Sequence, residues 1–215
     1  MPISTRMSEP MHRPVRRLVQ LYAGLVLYGA SMALQIRAGL GLDPWDVFHQ
    51  GVSDRTGLSF GTIVIITGAL VLLAWIPLRQ RPGIGTVSNV FVIGIAVDAA
   101  LALLPDAGSR PVGAAMLIAG VVLNGVAGGA YIGAGLGPGP RDGLMTGLVR
   151  RTGRSVRLVR TSIEVTVLVA GAALGGTVGI GTVLYALSIG PLVHALLPRM
   201  TVAPPERPAT AYTVS

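Results

Sequence analysis

The chain has 215 residues; 51% are hydrophobic, only 12% are charged, and the mean hydropathy is +0.67. A soluble domain carries about 25% charged residues, so this composition excludes an ordinary water-clothed globule and places most of the surface against lipid. Cysteine is absent, which excludes a disulfide framework and thiolate metal sites. The formal charge of +8 on so apolar a chain fits arginine-rich loops at an anionic lipid surface, and not a nucleic-acid partner.

Residues 1–16 are a polar tail bearing Arg6, Arg13 and Arg16. A membrane span needs about 20 mainly apolar residues to cross about 30 Å of hydrocarbon. Six stretches fit that description, at 17–37, 60–77, 84–104, 112–133, 157–175 and 179–198. Residues 199–215 are proline-rich and predict a disordered tail. Arginine placement sets the orientation, because cytoplasmic loops are enriched in basic residues. With the N-terminus inside, the leader, the loop with Arg79 and Arg81, the loop from Arg141 to Arg160 and the tail are all cytoplasmic; only Arg37, Arg55 and Arg110 fall outside. Both termini are therefore expected in the cytoplasm. The basic leader and the ASMA stretch at Ala30–Ala33 could be read as a cleavable signal peptide. The counterpart stretch at 112–133 is internal, so 17–37 is expected to remain as a span.

The chain repeats itself. GLGLDPWDVFHQGVSDRTGLS at Gly39–Ser59 recurs as GLGPGPRDGLMTGLVRRTGRS at Gly135–Ser155, with a constant offset of 96. The match extends to Ala23-Gly24 with Ala119-Gly120, and to GIGTV at Gly83–Val87 with Gly179–Val183. Each copy holds three spans, an odd number, so the second copy enters the bilayer from the opposite face. The expected fold is an all-α membrane protein with six transmembrane helices, arranged as a 3+3 inverted-topology repeat. Its units are residues 17–104 and 112–198, each with a short helix after its first span.

The repeated motif encodes that short helix. Gly39 and Gly41, and Gly135 and Gly137, break the preceding span. Pro44 and Pro140 suit the first helical position, where no N–H is required. Asp46 and Asp142 follow in the first turn, where a carboxylate meets the positive end of the helix dipole. Gly57 and Gly153 are the stops. A helix of this length either lies on the surface or dips in as a re-entrant segment, which is tolerated only where protein or a wet cavity satisfies its backbone. Asp46 and Asp142 are then either simple capping carboxylates or part of a solute path. The copies differ at Leu42-Asp43 against Pro138-Gly139, and at Trp45 against Arg141.

The paired signatures GLGLDPWD and GLGPGPRDGL, with RTG and GIGT downstream, resemble the YczE/YyaS/YitT family of bacterial multi-pass membrane proteins, the YczE branch in particular. The resemblance covers most of residues 17–198. It implies a polytopic protein of the bacterial cytoplasmic (inner) membrane and carries no substrate or activity with it.

Polar residues inside spans cost about 2.5–3.5 kcal/mol when charged and are functional candidates by default. Glu164 lies in the fifth span with Arg160 one turn before it, which reads either as a structural ion pair or as a proton or cation site. Asp98 and His194 are repeat counterparts toward span ends and read as interfacial. Tyr28 and Asn124 are counterparts near mid-span, where such folds bind solute. His49 is expected on the outer side, on the short helix. Gly125, Gly129 and Gly133 leave one face of the fourth span bare, with Gly29 and Ala33 of the first span as the expected partner. No catalytic constellation, cofactor motif or metal cluster stands out, so no enzyme, cofactor or metal is expected. The leading expectation is a transporter of a small solute or ion, with Tyr28, Asp46, Asn124, Asp142 and Glu164 as binding candidates at the repeat interface. The alternatives are a membrane regulator presenting Arg150, Arg151, Arg154 and Arg157 to a cytoplasmic partner, and a passive channel. The lipid bilayer, with anionic lipid at the inner arginines, is the one partner named; the oligomeric state stays open.

Overall fold

The computed structural model describes residues 13–202, so most of both tails, with Arg6, His12 and Arg207, lies outside the described residues. Within them the regular elements are helices: α1 (Pro14–Ala38), α2 (Pro44–Thr56), α3 (Phe60–Trp75), α4 (Ile84–Leu103), α5 (Arg110–Gly133), α6 (Pro140–Thr152), α7 (Val156–Leu174) and α8 (Ile180–Met200). The sequence repeat is also a repeat of elements. Adding 96 to the bounds of α2 gives those of α6, and the starts of α1, α3 and α4 map onto those of α5, α7 and α8. The tails are shorter than expected: α1 takes in residues 14–16, α8 runs to Met200, and Val202 is buried, its N–H donating to Gly133 O at 3.0 Å.

The local causes are the same in both copies. Gly39 and Gly135 turn the chain at φ 65° after α1 and α5, and Gly57 (φ 72°) and Gly153 (φ 66°) cap α2 and α6. L side chains rarely adopt this left-handed region. Pro44 and Pro140 stand at the first position of the short helices. Ser59 and Ser155 cap α3 and α7 through their side-chain oxygens, and Thr86 and Thr182 fold back to accept from Gly83 N and Gly179 N.

Four helices are long and apolar enough to cross a bilayer, α1, α4, α5 and α8; α2 with α3, bent by 117°, makes a fifth if counted as one broken span. Two of the six expected spans fall short on this measure. α3 has 16 residues, about 24 Å at 1.5 Å per residue. α7 carries Arg157, Arg160 and Glu164 within its 19 residues.

The copies interlock. α1 lies along α5, α2 packs on α7, and α6 packs on α3, so each short helix is held mainly by the other copy. The contacts are reciprocal. Gly85 N donates to Leu136 O at 2.9 Å, and Gly181 N donates to Leu40 O at 2.8 Å. Arg55 donates to the carbonyls of Ala173 and Leu174 at the end of α7, and Arg151 to that of Pro77 after α3. The glycine face of α5 does not meet α1: a Cβ at Gly125, Gly129 or Gly133 would touch Leu192, Leu196 or Met200 of α8. Gly29 likewise faces α4. α1 and α5 instead approach through Gly24 and Gly120, over the backbone of Tyr131 and Ser31.

Two departures break the symmetry. α3 packs along α4, where Gly61 and Gly94 let the backbones touch and Asp98 accepts from Gly61 N at 2.7 Å. The counterparts of Gly61 and Gly68 are Arg157 and Glu164, and α7 does not pack along α8. Conversely, Trp75 of α3 stands where α7 has Gly171. The indole wedges against Gly143 of α6, whereas Gly171 lets α7 lie directly on the Val47–Phe48 backbone of α2. We therefore expect Gly171→Ala to destabilise the protein by about 1–3 kcal/mol through overpacking. Gly128→Ala, whose Cβ would meet only Val193 Cγ2 at 3.4 Å, should be neutral or mildly stabilising because alanine is the better helix former. Thermal unfolding in detergent, followed by circular dichroism, reads both; equal midpoints would contradict the close contact.

Candidate functional site

The N-termini of α2 and α6 meet at the centre of the fold. The Asp43 side chain caps α2, accepting from Trp45 N (2.8 Å) and Asp46 N (3.1 Å). α6 has Gly139 at the equivalent cap and Asp142 in its first turn. Trp45 and Arg141 occupy the same position in the two copies, and they touch: the guanidinium lies 4.8 Å over the indole ring. Its two terminal nitrogens each stand 3.7 Å from a carboxylate, Nη1 from Asp43 and Nη2 from Asp46. His49, one turn on, holds Asp46 Oδ1 at 3.1 Å from Nδ1. Asp43, Asp46 and His49 are buried to within 2% exposure.

Burial dominates their chemistry. Loss of water pushes the Asp43 and Asp46 carboxyls above the ordinary carboxylate range, the two charges reinforce one another at Asp43, and Arg141 opposes both effects. Burial and the Arg141 charge push the His49 imidazolium down, which holds the ring neutral.

Behind this cluster, a polar chain ties α1 to α5 and α8. Asn124 donates to Ser31 Oγ (2.8 Å), Ser31 donates to Tyr28 O (2.6 Å), and Tyr185 donates to Asn124 Oδ1 (3.0 Å). Tyr131 donates to Asp142 Oδ2 at 3.3 Å, and its ring meets that of Tyr28 edge-on at 6.1 Å. Trp75 secures α6 from below, donating to Pro140 O at 3.0 Å.

Most of these groups, though not Ser31, Asp46 or Trp75, line one cavity of about 410 Å³, within the range of small-molecule sites. Its lining comes in pairs 96 apart: Tyr28 with Asn124, Trp45 with Arg141, Val64 with Arg160. The cavity thus sits between the copies and belongs to neither. On the first-copy side α3 and α4 close it. On the second-copy side it reaches the gap between α7 and α8, where Arg160, Glu164 and His194 line it.

Of the residues singled out in the sequence, Tyr28, Asn124, Asp142, Arg160, Glu164 and His194 line the cavity. Arg160 donates to Glu164 at 2.9 Å, and both side chains are about half exposed, at 55% and 40%. Asp46 lies just beneath, in the ion cluster. Asp98 does not reach the cavity; it accepts from Ser59 Oγ and Gly61 N and ties α4 to the start of α3. His49 also lines the cavity and is enclosed, because α2 turns its histidine inward against Phe60 and Asp46. Sequence reasoning missed Asp43, Trp45, Tyr131, Arg141 and Tyr185 as cavity residues. The signal for three of them was the departure between the copies at positions 43, 45 and 141. The tyrosines gave none, being indistinguishable from interfacial aromatics.

The chain is similar to an uncharacterised membrane protein, YczE, of Bacillus subtilis, at 37% identity over 188 residues, covering 86% of this chain and 87% of the relative. It is 36% identical to an uncharacterised protein of Haemophilus influenzae over 177 residues, 82% of this chain and 81% of the other. The B. subtilis protein YyaS, also uncharacterised, is 26% identical over 179 residues, 81% of this chain and 89% of its own length. No solved structure matches the chain. Apolar helices and these relatives together make it a membrane protein, and with residues 15–198 matched it belongs to the family of unknown function DUF6198.

Proposed function

We propose that the protein is a small-solute carrier of the bacterial inner membrane. In this reading it crosses the bilayer six times, as two sets of three spans in opposite orientation, with both termini cytoplasmic. α3 and α7 complete the count: α3 is continued at depth by the re-entrant α2, and α7 carries its charges near one face. The reading assigns the protein passage of a solute and no chemical step. Reciprocal contacts favour it, because a self-complementary two-fold interface pairs i with j and j with i. The single observation that carries it is the cavity: it lies between the copies, its lining is drawn pairwise from both, and only one of its two flanks is closed. Exchange of the closed flank (α3–α4) for the open one (α7–α8) is the motion by which an inverted repeat alternates access to a fixed site.

The test is uptake. In cells or proteoliposomes carrying an identified solute, Glu164→Gln and Asn124→Ala should each cut saturable flux about tenfold or more, since the first removes a charge and the second a polar group from the solute path. Unchanged flux in both would place the site elsewhere. The competing reading, a membrane regulator, is favoured by the exposure of Arg150, Arg151, Arg154 and Arg157. It requires that neutralising those four abolishes the phenotype while cavity substitutions are silent. Linear, non-saturating flux would favour a channel.

A further inference from the structure

The cavity carries more negative than positive charge, and its wall is aromatic. Asp43, Asp142 and Glu164 line it and Asp46 lies beneath, against Arg141 and Arg160. Arg141 is claimed by Asp43 and Asp46 and stacked on Trp45; Arg160 is claimed by Glu164. Asp142 has no cation within ion-pair distance among the described residues, and its one hydrogen-bond donor from a side chain is the Tyr131 hydroxyl. His49 adds no charge while neutral, and His194 stands exposed at the rim. Four acids against two arginines leave the lining short of positive charge, and at Asp142 only the N-terminus of α6 and the Tyr131 hydroxyl stand where a cation would pair the carboxylate.

What surrounds that carboxylate narrows the cation. Tyr131 donates to it, Tyr28 meets the Tyr131 ring edge-on, and Tyr28 and Tyr185 line the same space. Aromatic faces attract cations, and aromatic cages are a recurrent means of holding alkylated ammonium groups. The remaining lining includes Met32, Val64, Ile93 and Ile189, which give an apolar body apolar contact, beside the polar Thr67, Asn89 and Asn124. No group of three or more His, Cys, Asp or Glu that could hold a metal ion occurs among the described residues.

We infer that the cavity binds a monovalent organic ammonium ion with an apolar body, its nitrogen beside Asp142 and the Tyr28–Tyr131 pair. The inference rests on the carrier reading only for what happens after binding; the ligand class stands on the cavity itself. Arg141 does not repel the ligand, because its charge is spent on the two carboxylates of α2. The gap between α7 and α8, with Glu164 on its wall, is the route in.

The experiment uses the full chain, purified in detergent and shown to be monodisperse and helical. Binding of benzyltrimethylammonium and tetraethylammonium is measured by calorimetry and by equilibrium dialysis. Benzenesulfonate serves as the anionic control and 3,3-dimethyl-1-butanol as the neutral one. Saturable binding of the ammonium ions is expected, with neither control competing. Asp142→Asn and Tyr131→Leu should each weaken it about tenfold or more, while Tyr131→Phe, which keeps the ring, should stay within about threefold. Three results would overturn the inference: no ammonium binding to the folded protein, equal binding of the neutral alcohol, or preference for the sulfonate that disappears in Arg141→Met. Counterflow of labelled tetraethylammonium in proteoliposomes separates the two readings. Binding without counterflow sinks the carrier and leaves the ligand class intact; counterflow of an anion with no ammonium binding does the reverse.

Discussion

Replacing Arg141 by methionine should destabilise the protein by about 3 kcal/mol, the lower end of the range for breaking a buried ion pair. The partners set the size of the effect. Asp43 and Asp46 are almost fully buried and lose their only cation. Arg141 itself is 32% exposed in its side chain, which screens part of the loss. The defect should depend on pH with a defined sign. Both carboxyls already sit above their ordinary range in the folded protein, and removing the guanidinium raises them further. The folded state then binds more protons than the unfolded one, so stability rises as pH falls. The loss should be largest at alkaline pH and shrink on acidification toward the ordinary carboxylate range. Asp43→Asn with Asp46→Asn in the same background should restore most of the stability, since asparagine still caps α2. A variant lacking Arg141 that unfolds within about 0.5 kcal/mol of the parent at every pH would mean that the ion cluster does not hold α2 to α6.

The second large effect is one of sidedness, and it is all or none. The chain has no cysteine, so Arg55→Cys and Arg151→Cys each carry one thiol with no background. Both positions lie at the ends of the short helices and are exposed. Under the six-span inverted arrangement, an impermeant maleimide added to intact cells labels position 55 and leaves position 151 until the membrane is opened. Labelling of both from the same side removes the opposite orientation of the copies and the alternating-access mechanism with it. Each arginine hydrogen-bonds only to carbonyls at the end of a neighbouring helix, so the cysteine variants should fold.

How much was legible in the sequence depended on whether a local rule applied. Helix limits were readable because their causes are local: proline at the first position of α2 and α6, glycine at φ 72° and 66° after them, serine before α3 and α7. The copy offset was readable because identity needs no structure. Partners were not. The Gly125–Gly133 face was expected against α1 and meets α8, since a small-residue stripe specifies close approach and not the helix that approaches. Arg141 looked like one more basic loop residue, and only the meeting of two helix N-termini makes it the cation of a buried cluster. His49 stands on a helix too short to span, and nothing in the residue pattern says that such a helix is enclosed by α7 and α3. Asp98, Asp142 and Glu164 were all recognised as unusual, yet only their packing separates the one that ties α4 to α3 from the two on the cavity wall.

The Trp45–Arg141 contact bears on the history of the chain. In an assembly of two identical subunits, a position on the rotation axis faces its own twin, so an arginine there would confront an arginine and a tryptophan a tryptophan. Once both units are joined in one polypeptide, that constraint lifts and equivalent positions can differ, as Trp45 does from Arg141, a cation seated on an indole, and Asp43 from Gly139. The fused gene could thus acquire an internal polarity that no symmetric dimer could hold.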